Sequence, residues 1–160
     1  MDRIETLVKE AHNEWQSQAK EFRNFLKEHM SKEHLIVVQV NDLDQQVGDG
    51  GFRQWYYLGY DTDLEDLIRY CQEIGTETCV KVKVLLEHLR EVINSFGDAE
   101  EAVKLLRDNG FVNYAYVLDE VLLEKLLNSV DRYSLDYYNV RRNFLSDVEE
   151  YLRSLSREKL

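Results

Sequence analysis

The sequence contains no proline among its 160 residues, although ordinary usage of about 5% would supply roughly eight. Because proline breaks helix interiors, its absence permits long helices. No run approaches the ~18 consecutive apolar residues of a membrane span. The first residues (Met1-Asp2-Arg3-Ile4-Glu5) carry acids where a signal peptide requires a basic segment. These absences predict a soluble protein of the cytoplasm that does not enter a membrane.

Motifs of known catalytic and metal sites are also absent. The two cysteines, Cys71 and Cys79, form neither a disulfide framework nor a Cys-x-x-Cys motif. Cys71 falls on the apolar stripe of a predicted helix, where an inert buried thiol is expected. The glycine-rich segment 48–51 lacks the ending of a phosphate-binding loop and the βαβ setting of a dinucleotide site. We therefore predict no enzyme, no cofactor and no metal; an active site made only of carboxylates stays open as an alternative.

Basic residues are scarce relative to acids, with 20 Lys and Arg against 31 Asp and Glu and a net charge of −11. Nucleic-acid binders carry a basic surface, so direct DNA or RNA binding is not expected, whereas a basic protein partner is. The excess lies in two segments. Residues 35–75 hold eight acids and two bases, and residues 98–130 hold seven acids and three bases. Folding gains nothing from such self-repulsion, although a need for solubility would produce the same excess.

What the sequence does contain is helical periodicity. Apolar residues recur at intervals of three and four along most of the chain, which predicts a single all-α domain over residues 1–160, with about seven helices and short loops. The predicted helices cover about residues 2–30, 32–47, 52–59, 62–75, 76–93, 98–109, 116–130 and 135–155. A strand starting at Ile36 is the alternative for the second segment. Ser31 is a predicted N-cap and Thr76 a predicted helix start. Gly75 and Gly110 are predicted helix ends, and the segments 62–65 and 98–101 are predicted capping boxes.

One segment resembles a known family. Residues 47–56, Val-Gly-Asp-Gly-Gly-Phe-Arg-Gln-Trp-Tyr, resemble the signature of the DNA-mimic protein family, which comprises small acidic all-α bacterial proteins. The resemblance covers about residues 35–90 and includes a downstream Ile74-Gly75 pair. Asp49 replaces the usual Asn, Trp55-Tyr56 replaces Tyr-Phe, and Leu58 stands where Asn is common. The motif residues expected to have a structural role are Val47, Asp49, Gly50, Gly51, Phe52 and Gln54.

The resemblance implies a function in binding. The family's founding example presents carboxylates in a DNA-like arrangement to a DNA-binding protein, and the family resemblance also implies a homodimer. Acids three or four residues apart on a helix lie ~5–6 Å from one another, so a helical protein can approximate a track of phosphates. We therefore expect an acidic interaction protein whose partner is a basic DNA-binding regulator or nucleoid protein. The expected binding residues are Asp42, Asp44, Asp61, Asp63, Glu65, Asp66, Asp98, Glu100, Glu101, Asp119, Glu120 and Glu124.

Two other interpretations remain at this stage. An immunity or antitoxin-like inhibitor that fills the basic cleft of a toxin would show the same acidity. A helical domain without mimicry, kept acidic for solubility, would share the motif and the fold, because a shared fold does not transfer a function.

Overall fold

The computed structural model describes residues 3–158, which form seven α-helices, one short 3-10 helix and no strand. The elements are α1 (Arg3–His29), α2 (Lys32–Tyr57), the 3-10 helix η1 (Tyr60–Asp63), α3 (Leu64–Ile74), α4 (Glu77–Ser95), α5 (Gly97–Asp108), α6 (Val112–Asp131) and α7 (Ser134–Glu158). The all-α prediction is confirmed. Within these residues, none of the helices has the length and apolar character that crossing a bilayer requires.

The helix α2 forms the centre of the core. It packs against α3, α6 and α7, and α4 in turn packs against α3, α6 and α7. Phe52 and Trp55 of α2 are fully buried and meet edge to face with their ring centroids 5.6 Å apart. Tyr137 and Phe144 of α7 extend this aromatic cluster. The helix α1 lies at the edge of the fold, where it packs chiefly against η1.

The predicted helix boundaries are confirmed where they depend on local chemistry. Ser31 Oγ accepts a hydrogen bond from His34 N (3.3 Å), and Thr76 Oγ1 accepts one from Cys79 N (3.2 Å). Gly75 and Gly110 have the left-handed conformation, with φ of 69° and 86°, as the ends of their helices require.

Four details of the predicted helices are wrong. The segments 32–47 and 52–59 belong largely to one element, α2, with a break at Gly50 and Gly51. Residues 36–38 are helical as predicted, so the alternative of a strand at Ile36 does not hold. Neither capping box forms. The helix α3 starts at Leu64, so the N-cap position falls on Asp63 rather than on Thr62. Asp63 makes no side-chain capping bond, and its carboxylate faces Arg23 instead. The helix α5 begins at Gly97, also without a side-chain cap, and α6 begins at Val112 rather than at 116.

Candidate functional site

The acidic residues predicted to bind a partner divide into two groups. Six of them form ion pairs with arginine or lysine side chains of the fold, and the other six lie on η1, α5 and α6. The first group is Asp42, Asp44, Asp63, Glu65, Asp66 and Glu124. The second group is Asp61, Asp98, Glu100, Glu101, Asp119 and Glu120. Sequence reasoning treated all of them alike, whereas their surroundings in the fold differ.

Asp63 is the most deeply buried of these acids, with only 1% of its side chain exposed. The guanidinium of Arg23, from α1, pairs with Asp63 and donates a hydrogen bond to Asp42 Oδ2 (2.8 Å). Gln39 Nε2 donates a second hydrogen bond to Asp63 Oδ1 (3.1 Å). Burial of a carboxylate is strongly unfavourable unless it is paired in this way. Asp63 therefore has a structural role and cannot reach a partner.

The same network includes Asp66, at the start of α3. Lys27 Nζ of α1 lies 3.2 Å from Asp66 Oδ2, and Gln39 Nε2 donates a hydrogen bond to the same oxygen (3.1 Å). Burial alone would raise the pKa of Asp66, but the hydrogen bonds from Gln39 and Lys27 and the charges of Lys27 and Arg69 outweigh it and lower that pKa. The network thus joins α1 to α2, η1 and α3 through charge.

Asp44, in the middle of α2, joins this helix to α7. Its carboxylate accepts hydrogen bonds from Arg141 Nε (2.6 Å) and Nη2 (2.9 Å) and from the Tyr137 hydroxyl (2.7 Å). Burial acts to raise the pKa of Asp44, yet these hydrogen bonds and the charge of Arg141 hold it below its usual value. A carboxylate with a depressed pKa in the folded state stabilises the fold above its unfolded-state pKa, and this contribution is lost as the pH falls through the folded-state pKa.

We expect Arg141→Gln to raise the pKa of Asp44 towards its ordinary value of about 4. The variant should be less stable than the parent at neutral pH, and the difference should shrink as the solution is acidified, because a protonated Asp44 no longer gains from Arg141. The carboxyl carbon of Asp44, followed by NMR through an acid titration, measures the first effect, and urea unfolding at several pH values measures the second. The neighbouring exposed Arg142, replaced by Gln, is the control and should leave the Asp44 titration unchanged.

Two further acids of the first group pair with arginine at the surface. Arg90 Nη1 lies 2.9 Å from Glu65 Oε2, and Arg53 Nη2 donates to both carboxylate oxygens of Glu124 (2.9 and 2.8 Å). Exposed ion pairs of this kind contribute roughly 0–1 kcal/mol. Both carboxylates are solvent-accessible and could therefore also contact a cation supplied from outside.

Three acids of the second group give α5 an acidic surface. Asp98, Glu100 and Glu101 are exposed, and no ion pair is seen for them among residues 3–158. Glu120 is exposed on α6, while Asp61 and Asp119 are half-buried. This surface holds the carboxylates that a partner could approach most easily.

The two acidic segments of the sequence meet around the ring of Tyr56. A small cavity of about 70 Å³ between α2, α5 and α6 is lined by Tyr56, Glu100 and Asp119 together with apolar side chains. Burial, followed by the charges of Asp61 and Glu100, raises the pKa of Tyr56 to about 12. Burial also raises the pKa of Asp61, and the charges of Asp63 and Glu100 add to this effect, opposed by Lys20. Carboxylates from residues 35–75 and 98–130 are therefore neighbours in the fold.

The glycine-rich motif has a structural role of its own. Gly51 has φ 77° and ψ 179°, which interrupts α2 and frees the backbone N–H groups that follow. Two side chains at the junction of α6 and α7 accept those hydrogen bonds: Ser134 Oγ from Phe52 N (2.9 Å) and Asp131 Oδ1 from Arg53 N (3.3 Å). The break is thus capped by residues about eighty positions away in the sequence.

The remaining motif residues fix the chain around this break. Val47 and Phe52 are fully buried. Gln54 Nε2 donates hydrogen bonds to Gln46 Oε1 (2.9 Å) and Asp49 Oδ2 (3.1 Å), which spans the break from one half of α2 to the other. None of these contacts belongs to the acidic surface of α5.

The two cysteines are buried and unbridged. A hydrogen bond with Cys79, together with burial, raises the pKa of the Cys71 thiol. Because the thiolate is the nucleophilic form, Cys71 is poorly suited to nucleophilic attack.

Comparison with known proteins identifies a family. The model of a protein family described as DMP19-like protein matches residues 28–155, which is more than half of the chain and includes both acidic segments and the glycine-rich motif. No curated protein and no solved structure matches the chain.

Proposed function

The chain belongs to the DMP19-like protein family, and from that premise we propose that it is a cytoplasmic acidic protein that binds a basic, DNA-binding partner. The partner would be a transcription regulator or a nucleoid protein, and carboxylates of this chain would occupy the surface with which that partner contacts DNA. The single observation that best supports this proposal is the exposed acidic surface of α5, formed by Asp98, Glu100 and Glu101.

The geometry of α5 suits this role. Asp98 and Glu101 are three residues apart on one helix, which places their side chains ~5–6 Å from each other. Asp61 and Asp119 extend the charge towards α2 and α6. Carboxylates held in this way attract a basic protein over a distance and orient it as it approaches. Because the helix is rigid, the spacing of the charges is fixed before binding.

The proposed binding surface is narrower than the sequence suggested. Asp42, Asp44, Asp63 and Asp66 are held by cations of the fold and have largely buried side chains, so we leave them out, whereas the paired Glu65 and Glu124 are exposed. The residues retained are Asp61, Glu65, Asp98, Glu100, Glu101, Asp119, Glu120 and Glu124.

We expect the triple change Asp98→Asn, Glu100→Gln and Glu101→Gln to weaken partner binding about tenfold at low salt, since each exposed pair contributes up to about 1 kcal/mol. The protein is immobilised, exposed to a bacterial lysate at low and high salt, and the retained proteins are identified by mass. The affinity of each retained protein is then measured for the parent and the variant, with duplex DNA as a competitor.

A second triple variant is the control for charge alone. Glu77, Glu149 and Glu150 are exposed acids on α4 and α7, and replacing each with Gln alters the net charge by the same amount. The proposal requires that this control binds like the parent and that duplex DNA displaces the partner. Equal weakening of both variants, or capture that duplex DNA does not affect, would contradict it.

A further inference from the structure

The helix α6 is apolar on two opposite sides. Its core side consists of Ala115, Leu126, Leu127 and Val130, all buried. A second series starts at the N-cap of the helix and is exposed: Phe111 (54%), Tyr114 (72%), Val117 (59%) and Val121 (47%). At 100° per residue Tyr114, Val117 and Val121 fall within about 60° of one another, on the side away from the core, and Phe111 precedes them at the N-cap. We call these four residues the α6 stripe.

The fold does not account for the α6 stripe. Single exposed apolar residues are normal on a protein surface, whereas a contiguous exposed series marks a contact site. The stripe extends over about three helical turns, or roughly 15 Å, and the rings of Phe111 and Tyr114 touch at its start, with centroids 6.5 Å apart. The packing of α6 on α2, α4 and α5 uses the other side of the helix.

The charges beside the stripe indicate what could cover it. Glu120 and Glu124 follow Val117 and Val121 by three residues each, so they form one edge of the stripe. Residues 97–131, which include α5 and α6, carry eight acids and three bases, a net charge of −5. A second copy of this chain would bring two such surfaces together, whereas a basic partner would neutralise them.

We propose that the α6 stripe binds an amphipathic basic helix of the partner. Apolar residues of that helix, spaced by three and four, would cover Tyr114, Val117 and Val121, and its lysines or arginines would face Glu120 and Glu124. This inference rests on the proposed function in taking the partner to be basic. It adds an apolar contact, so that binding depends on the shape of the partner's helix as well as on its charge.

The test uses two labelled synthetic peptides of about 18 residues, or five helical turns. Both contain the same leucines and lysines; in one they form an amphipathic helix, and in the other they are scrambled. Fluorescence anisotropy measures their binding to the full-length protein. We expect the amphipathic peptide to bind more tightly and to retain binding at high salt. The double variant Val117→Gln, Val121→Gln should lose about tenfold in affinity for it.

A matched control comes from α4. Val80 and Val84 are also four residues apart and are each 46% exposed, so Val80→Gln, Val84→Gln removes the same side chains elsewhere and should bind like the parent. Since all four valines are exposed, we expect both variants to fold, which circular dichroism checks.

Three results would overturn the inference. The first is that both peptides bind equally well and that the double variant Val117→Gln, Val121→Gln binds them as the parent does. The second is that neither peptide binds. The third is a dimeric parent that this variant converts to a monomer in sedimentation velocity, since the stripe would then be covered by a second copy. A failure of the proposed function would show in a different experiment: the α5 variant Asp98→Asn, Glu100→Gln, Glu101→Gln would bind the captured partner as tightly as the parent does.

Discussion

Gly51→Ala is expected to lower the free energy of unfolding by about 3 kcal/mol or more. The φ of 77° and ψ of 179° at Gly51 lie in a region that is accessible essentially only to glycine, and another residue there costs about 1–3 kcal/mol. An added Cβ would also lie 2.2 Å from Asp131 Oδ1 and 3.0 Å from Ser134 Oγ. Those two side chains cap the second half of α2, so displacing them lowers the free energy of unfolding by about another 1 kcal/mol.

Gly48 provides the control, three residues earlier in the same helix. A Cβ at this position meets nothing within 4 Å, and alanine is favoured over glycine in a helix interior by about 1 kcal/mol. Gly48→Ala should therefore stabilise the protein. A loss of 3 kcal/mol corresponds to a melting temperature lower by roughly 6–12 °C for a domain of this size, whereas Gly48→Ala should raise it by a few degrees. Thermal unfolding followed by circular dichroism measures both, and a Gly51→Ala protein as stable as the parent would refute the role given to the break.

Features that depend on neighbouring residues were predictable from the sequence. The apolar spacing indicated the helices, and the caps at Ser31 and Thr76 formed because each side chain bonds to a backbone N–H three residues later. The predicted capping boxes were wrong because α3 starts two residues after Thr62 and α5 starts before Asp98. The contact that holds Asp63 was not predictable at all. Asp63 has the position of a cap, but Arg23, forty residues earlier, holds its carboxylate. A charged partner at that distance leaves no periodic signal in the sequence.

The same limit applies to the acidic surface. Asp63 and Glu100 look equivalent in the sequence, since each lies in an acidic segment next to a helix start, yet Asp63 is buried and Glu100 is exposed. The difference depends on where α1 packs, which composition does not indicate. The α6 stripe was also missed, although its signal was present. The apolar residues of α6 occur on both sides of the helix, and only the packing identifies which side is covered.

Arg23→Met is the second change with a large expected effect. The variant leaves Asp63 buried with a hydrogen bond from Gln39 (3.1 Å) and with Lys27 Nζ 3.8 Å away. Removing one partner of a buried ion pair typically costs 3–5 kcal/mol, because the other charge stays buried without compensation. Arg90→Met is the control, since Arg90 pairs with the exposed Glu65. We expect this control to lower the free energy of unfolding by no more than about 1 kcal/mol. Urea unfolding of both variants gives the comparison.

A double-mutant cycle tests whether the unpaired charge of Asp63 is the reason why Arg23→Met loses stability. Asp63→Asn alone should be mild, because Arg23 keeps its hydrogen bond to Asp42 (2.8 Å). Combining it with Arg23→Met should give a protein more stable than Arg23→Met alone, since a neutral amide at position 63 needs no counter-charge. If the combined variant is instead the least stable of the set, Arg23 acts through its packing on the Tyr60 ring, 4.4 Å away, and not through Asp63. In that case the cation–π contact of Arg23 with Tyr60 of η1, rather than the ion pair with Asp63, would hold α1 on the fold.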